Sequence, residues 1–286
     1  MNSIIILTIV SLGMVALVSA IILFFVARKF HVQEDPRLDL VVEILPSANC
    51  GGCGYAGCRN FAEAMLAVSS LDGLSCPVGG AEVMNKAAAI LGMTAPEFEP
   101  LVAVLRCNGT RENIIMTSHY DGPADCGIAH MLYGGEKGCT YGCLGHGDCV
   151  KACTFGALTI DAATGLPVVD DDKCTACGKC VQSCPRGLFE LRKKAKKNRK
   201  LYVACSNCDK GGVARKSCRV ACIACTKCQQ VCESDAITIE RNLAYIDASK
   251  CTFCRKCVQV CPTASILEFN FPAKKTKMEM EAAGSE

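Results

Sequence analysis

The chain has no tryptophan, only six tyrosines and ten phenylalanines in 286 residues, and almost no surplus of charge. A net charge of +3 gives no case for a nucleic-acid or other polyanionic partner. No poised Ser/His/Asp set and no substrate-pocket signature stands out, so the chain does not read as a self-contained catalyst. One stretch, Gly52-Cys53-Gly54-Tyr55-Ala56-Gly57, matches the dinucleotide fingerprint G-x-G-x-x-G. It lacks the preceding strand and the βαβ frame that the fingerprint needs, and direct NAD binding is not expected. No basic residue precedes the N-terminal apolar run, so a cleaved signal peptide would lack its basic leading segment.

That run is the first thing present. Residues 4–26 carry no charge and are long enough to span a bilayer, which needs about 20 residues. Arg28 and Lys29 follow at once. The positive-inside rule then places the N-terminus outside and the rest of the chain in the cytoplasm. Residues 1–26 are read as a single-pass transmembrane anchor and 27–36 as a polar linker.

The second thing present is cysteine, 25 in all. Most fall in the run Cys-x2-Cys-x2-Cys-x3-Cys, the spacing by which thiolates hold [4Fe–4S] clusters, with the fourth cysteine of a run ligating the other cluster of a pair. A disulfide scaffold would rarely repeat such close thiols, because they cannot all pair without strain, and it would need the opposite compartment. A zinc ribbon would lack the tight triple and the trailing Cys-Pro.

Past the anchor, Pro36 opens a short apolar-periodic helix over Leu38, Val41, Val42 and Leu45. Then comes the set Cys50, Cys53, Cys58 and Cys76, with one helix inside it and another after it that ends near Gly92. Residues 37–93 are thus a small helical module with one [4Fe–4S] set, and 94–100 a linker. From residue 101 the chain repeats itself. Ala157-Leu-Thr-Ile-Asp161 aligns with Ala236-Ile-Thr-Ile-Glu240, and the run from Cys174 to Pro185 aligns with the run from Cys251 to Pro262. Each unit reads cysteine run, strand, turn, strand, cysteine run, the pattern of a bacterial two-cluster ferredoxin. The units are 101–192 and 201–270, joined by a basic linker 193–200 and followed by a charged tail 271–286. The basic run reads as a solvated linker, with docking of an acidic carrier as the other reading. The expected fold class is α+β.

The repeat is imperfect. The second unit opens Cys222-x2-Cys225-x2-Cys228-x3-Cys232, whereas the first opens Cys143-x5-Cys149-x3-Cys153 with His146 where Cys225 would be. Either Cys139 or His146 fills the gap. Thiolate is the commoner ligand, so Cys139 is the expected one. The crossing rule then groups Cys139, Cys143, Cys149 and Cys184; Cys153, Cys174, Cys177 and Cys180; Cys222, Cys225, Cys228 and Cys261; and Cys232, Cys251, Cys254 and Cys257. With the N-terminal set that makes five clusters. Cys107, Cys126, Cys205, Cys208 and Cys218 are left over; they read as buried free thiols, or four of them as a sixth set.

Anchor, four-cysteine module and tandem ferredoxin units in this order resemble the B component of the Rnf complex, the ion-translocating ferredoxin:NAD+ oxidoreductase of bacterial inner membranes, in its longer form. The resemblance covers nearly the whole chain. It implies an electron-relay subunit that takes electrons from reduced ferredoxin and passes them to other subunits of the membrane complex, with sodium ions or protons moved by the whole. It implies inner-membrane location with the clusters on the cytoplasmic side. A membrane-tethered polyferredoxin serving another redox enzyme is the alternative. A subunit whose cluster activates a small molecule would need an open iron site, for which only the leftover cysteines remain.

Overall fold

The computed structural model describes residues 2–29, 35–132 and 134–272, with ten α-helices and eight β-strands among them. The centre of the expected 27–36 linker and nearly all of the 271–286 tail lie outside the described residues. Helix α1 (Asn2–Lys29) is continuous and ends with Arg28 and Lys29 in its last turn, where cations complement the helix dipole. The most apolar stretch of 18 residues within Ile5–Lys29 has a mean hydropathy of 2.8, and none of its residues is buried by the rest of the chain. A helix apolar all round suits lipid rather than water.

The next module is built from α2 (Pro36–Ile44), α3 (Cys58–Ala67) and α4 (Gly80–Leu91). Asp35 caps α2 by accepting from the Arg37 N–H, and Pro36 fits the first helical position, where no N–H is needed. Gly92, at φ 70°, closes α4. Helical spacing puts Leu38 and Val41, Phe61 and Met65, and Met84 and Ala87 on inward faces, where they form one core with Leu71 and Cys76. Burying side chains of this size contributes about 1.5–3 kcal/mol each.

The first ferredoxin unit runs β1 (Leu101–Leu105), α5 (Cys126–Leu132), α6 (Asp148–Lys151), β2 (Leu158–Ile160), β3 (Pro167–Val169), α7 (Lys179–Ser183) and β4 (Phe189–Lys193). The second runs β5 (Lys200–Val203), α8 (Gly211–Ser217), α9 (Lys227–Gln230), β6 (Ile237–Glu240), β7 (Leu243–Ile246), α10 (Lys256–Val260) and β8 (Ile266–Phe269). The inner hairpins β2–β3 and β6–β7 are the strands expected from the repeat. The outer antiparallel pairs are additional: β1 with β4, Leu101 opposite Lys193, and β5 with β8, Lys200 opposite Phe269. Each outer pair closes its unit by joining the segment before the first cysteine run to the segment after the last.

The two units share a buried seam. Val104, Tyr202 and Ala204 pack together across it. Arg192, 5% exposed, donates to Glu190, to the Leu201 carbonyl and to the Ile246 carbonyl, 2.7 Å away. Arg106 and Arg192 both lie 5.3 Å from the centre of the Tyr245 ring. The basic stretch 193–200 is correspondingly not a free linker. Lys193 belongs to β4 and pairs with Glu99, while Lys200 begins β5 and pairs with Asp171 at 2.7 Å, with both side chains largely buried in that second pair.

Candidate iron–sulfur sites

The cysteine loops share one backbone form. Ala176 and Gly178 flank Cys177 with φ of 56° and 77°, Ala224 and Thr226 flank Cys225 with 51° and 64°, and Phe253 and Arg255 flank Cys254 with 59° and 66°. Left-handed backbone at a non-glycine residue costs on the order of 1–3 kcal/mol and persists only where the surroundings impose it. Its threefold recurrence around the middle cysteine of a run marks a loop shaped for a purpose. Gly145 and Gly147, at 89° and 85°, flank His146 in the same way.

The thiols of these loops converge in fours around small cavities. Cys153, Cys174, Cys177 and Cys180 line one. Cys222, Cys225, Cys228 and Cys261 line another. Cys251 has Cys232 and Cys254 as electrostatic neighbours, and Cys257 has Cys251 and Cys254, so the last set is also gathered. In the helical module, burial raises the pKa of Cys76, and the nearby thiols of Cys53 and Cys58 add to the rise. Cys50 sits on the same loop, which Asn49 ties down by accepting from the Cys58 N–H at 2.9 Å.

At the irregular first loop the structure gathers a different fourth thiol from the one spacing suggests. Cys143, Cys149 and Cys184 line a cavity with Cys126, not with Cys139. Cys143, Cys126 and Cys184 are the thiols that perturb Cys149. His146 occupies the loop position of Cys225, but its ring packs on Tyr120, 5.5 Å between centres. Helix α5 brings in Cys126. Asp125 caps its start by accepting from the Ile128 N–H, and Asp148 of α6 accepts from the N–H of Cys126 at 2.8 Å. Asp148 thereby holds the thiol of one helix over the cavity bordered by its own neighbour, Cys149.

Cys139 belongs to another group. It lines a cavity with Cys107, Cys205 and Cys218. These are three of the five cysteines that spacing left over, and two of the four come from each unit. The unit seam forms this cavity: the Arg219 N–H donates to the Asn113 carbonyl at 2.7 Å, and Ile114 bridges Cys218. Asn207, 1% exposed, donates from Nδ2 to the Sγ of Cys139 at 3.4 Å. Of the leftover cysteines only Cys208 stays outside the sets, its Sγ donating to the Ser206 carbonyl.

The donor chemistry fits [4Fe–4S] clusters. Among the described residues no three His, Cys, Asp or Glu side chains converge as a single ion would require; the thiols stand around cavities instead. Backbone N–H groups point at sulfur: Gly79 to Cys76 and Ala157 to Cys153 at 3.3 Å, and Leu188 to Cys184 at 3.4 Å. Burial pushes the thiols of Cys143, Cys149, Cys205 and Cys257 up to about 12 and those of Cys180 and Cys228 up to about 11. Bare thiolates there would be costly, and bound iron supplies the positive charge that offsets the cost.

Adjacent sets touch. Gly52 of the helical module lies so close to Cys177 that a Cβ there would stand 2.9 Å from its carbonyl oxygen. The Cys143 N–H donates to Cys107 Sγ, and the Cys222 N–H donates to Cys205 Sγ, each at 3.4 Å. Cys228 in turn perturbs Cys257. At the far end Cys254 is the one exposed cysteine among the described residues.

Comparison with known proteins finds iron–sulfur domains over the same stretches of chain. An Fe-S cluster family model matches residues 45–70, and the 4Fe-4S dicluster domain matches 138–188 and 221–265. The B component of the Na+-translocating ferredoxin:NAD+ oxidoreductase complex of Acetobacterium woodii is 45% identical over 84% of this chain and 71% of its own. The B component of the ion-translocating oxidoreductase complex of Methanosarcina acetivorans is 40% identical over 88% of this chain and 94% of its own. The B component of the proton-translocating ferredoxin:NAD+ oxidoreductase complex of Clostridium ljungdahlii is 40% identical over 88% and 87%.

Proposed function

This chain belongs to the family of B components of ion-translocating oxidoreductase complexes, and on that premise we propose that it takes electrons from reduced ferredoxin and relays them to the membrane partners of such a complex. Within the complex it is an electron-transfer subunit carrying [4Fe–4S] clusters. The proposed ligand sets are six. Cys50, Cys53, Cys58 and Cys76 serve the helical module. Cys153, Cys174, Cys177 and Cys180, with Cys126, Cys143, Cys149 and Cys184, serve the first unit. Cys107, Cys139, Cys205 and Cys218 serve the seam. Cys222, Cys225, Cys228 and Cys261, with Cys232, Cys251, Cys254 and Cys257, serve the second unit.

When bound, such clusters take up and release single electrons at low potential. The observation that carries the reading is the unbroken row of thiol sets. Gly52 against Cys177 joins the helical module to the first unit, Cys149 and Cys180 share one buried cluster between that unit's two sets, the two thiol-directed N–H groups of Cys143 and Cys222 join each unit to the seam, and Cys228 beside Cys257 joins the last two sets. One end of the row, at Cys254, is open to a soluble donor. The other end is the module that follows the membrane helix. Arg28 and Lys29 favour the cytoplasmic side for everything after α1, so the proposed location of the clusters is the cytoplasmic face of the inner membrane.

Anaerobic mixing of the detergent-solubilised chain with reduced ferredoxin tests the donor: its visible absorption should bleach, and NAD+ should stay oxidised until partner subunits are added. Failure to accept electrons from ferredoxin would remove that donor. Purification with an unrelated redox enzyme, and without membrane partners, would favour a tethered polyferredoxin instead.

A further inference from the structure

Arg186 stands between two of the thiol-lined cavities. Its side chain lines the cavity of Cys126, Cys143, Cys149 and Cys184. Its Nη1 donates to the carbonyls of Cys139, at 3.3 Å, and of Gly142, and its Nη2 donates to the carbonyl of Gly134. Cys139 and Gly142 both line the neighbouring cavity at the seam. The guanidinium is thus clamped by the loop that separates the two sets. Its Nε is buried and has no hydrogen-bond partner among the described residues. A buried N–H is costly to leave unpaired, so one left over beside a thiol-lined cavity points to an acceptor inside it.

The charge matters as much as the donor. Arginine stays protonated in proteins, and Arg186 forms no ion pair with a carboxylate among the described residues. The repeat supplies a control. Cys184-Pro185-Arg186 corresponds to Cys261-Pro262-Thr263 in the second unit. There neutral hydroxyls do the work: Ser265 Oγ lies 3.3 Å from Cys261 Sγ, and Thr263 Oγ1 lies 3.8 Å away. Two repeat-related sets of thiols are therefore placed in different fields.

We infer that Arg186 is a positioning residue that raises the reduction potential of the cluster held by Cys126, Cys143, Cys149 and Cys184, through a fixed positive charge and an Nε–H bond to its sulfur. Reduction adds one negative charge, which a nearby cation and donor favour; hydrogen bonds to sulfur and local charge are the levers by which proteins set these potentials. The inference rests on the ligand sets proposed above. Iron content tests those sets, and potentials test Arg186, so the two can fail separately.

The experiment is an anaerobic redox titration of the full chain in detergent, followed by low-temperature electron paramagnetic resonance, for wild type, Arg186→Gln and Arg186→Lys. With full iron in all three, Arg186→Gln should lower one centre so that its reduced-to-oxidised ratio at a fixed potential falls about tenfold, or about 59 mV for a one-electron couple. Arg186→Lys, which keeps the charge, should recover most of that shift. An Arg186→Gln titration that superimposes on wild type overturns the inference, as does an equal shift in both variants. Should Arg186→Gln lose iron, the reduced wild-type protein labelled with 15N-arginine decides. Double resonance should show a weak nitrogen coupling to a cluster spin, and its absence overturns the inference.

Discussion

The backbone N–H of Cys143 donates to the Sγ of Cys107 at 3.4 Å, and the same bond recurs in the second unit between Cys222 and Cys205. Cys107 and Cys205 are therefore repeat partners. So are Cys139 and Cys218, each four residues before the opening cysteine of its unit. The set at the seam is a pseudo-twofold site to which both units contribute equally.

Equal contribution predicts equal loss. Cys139→Ala and Cys218→Ala should each remove about four irons per chain, or leave a three-iron centre with a distinct low-temperature spectrum. Cys126→Ala should do the same to the first unit's irregular set, and His146→Ala should leave the iron count unchanged. Loss of a cluster in His146→Ala, with Cys126→Ala intact, would contradict the packing described here.

Gly52→Val should loosen the helical module from the first unit. Its side chain would meet the backbone of Cys177, with Cβ 2.9 Å from the carbonyl oxygen and 3.0 Å from Cα. Overpacking of this kind costs about 1–3 kcal/mol, and every 1.4 kcal/mol or so is tenfold in an equilibrium. Limited proteolysis within residues 94–100 should become about tenfold faster while the iron content stays the same. Unchanged cleavage would show that the contact does not hold the module in place.

Arg192→Met should destabilise the seam. The substitution leaves the carbonyls of Leu201 and Ile246 without their donor, and Glu190 without its closest cation. Breaking a buried charged network in this way costs about 3–5 kcal/mol. Glu190 keeps Arg106 at 3.6 Å, which favours the lower end of that range. Chemical denaturation of the anaerobic protein measures the change, and a loss below about 1 kcal/mol would contradict it.

Removing residues 1–29 should give a water-soluble chain with its iron intact, since every residue of 5–29 whose burial is described is exposed. Iron analysis and gel filtration without detergent check this. Aggregation with loss of iron would mean that α1 supports the cluster modules.

Local spacing made much of this architecture legible before any coordinates. The run Cys174-x2-Cys177-x2-Cys180-x3-Cys184 gathers three thiols within one loop, so short-range geometry alone sets their grouping. Cys126 escaped because it lies 17 residues before Cys143 on a helix of its own. Only the docking of α5 onto Asp148 brings it to the cavity. The local signal was Asp125 capping a short helix that begins at a cysteine, and that signal says nothing of where the helix docks. For Cys107, Cys205 and Cys218 spacing leaves buried thiols and a sixth set both open, because their cavity exists only once two units have packed together. The outer strands β1 and β5 were missed because their partners lie far along the chain, Leu101 opposite Lys193 and Lys200 opposite Phe269. In β1 the burial is nearly continuous, without the alternation that betrays a half-exposed strand.

The most direct test of the account is the iron and acid-labile sulfide content of the anaerobically reconstituted full chain. Six complete sets predict about 24 irons and as much sulfide, four of each per cluster. A value near 20 would return Cys107, Cys139, Cys205 and Cys218 to the status of buried thiols, and stoichiometric zinc without visible absorption would contradict the reading of every set.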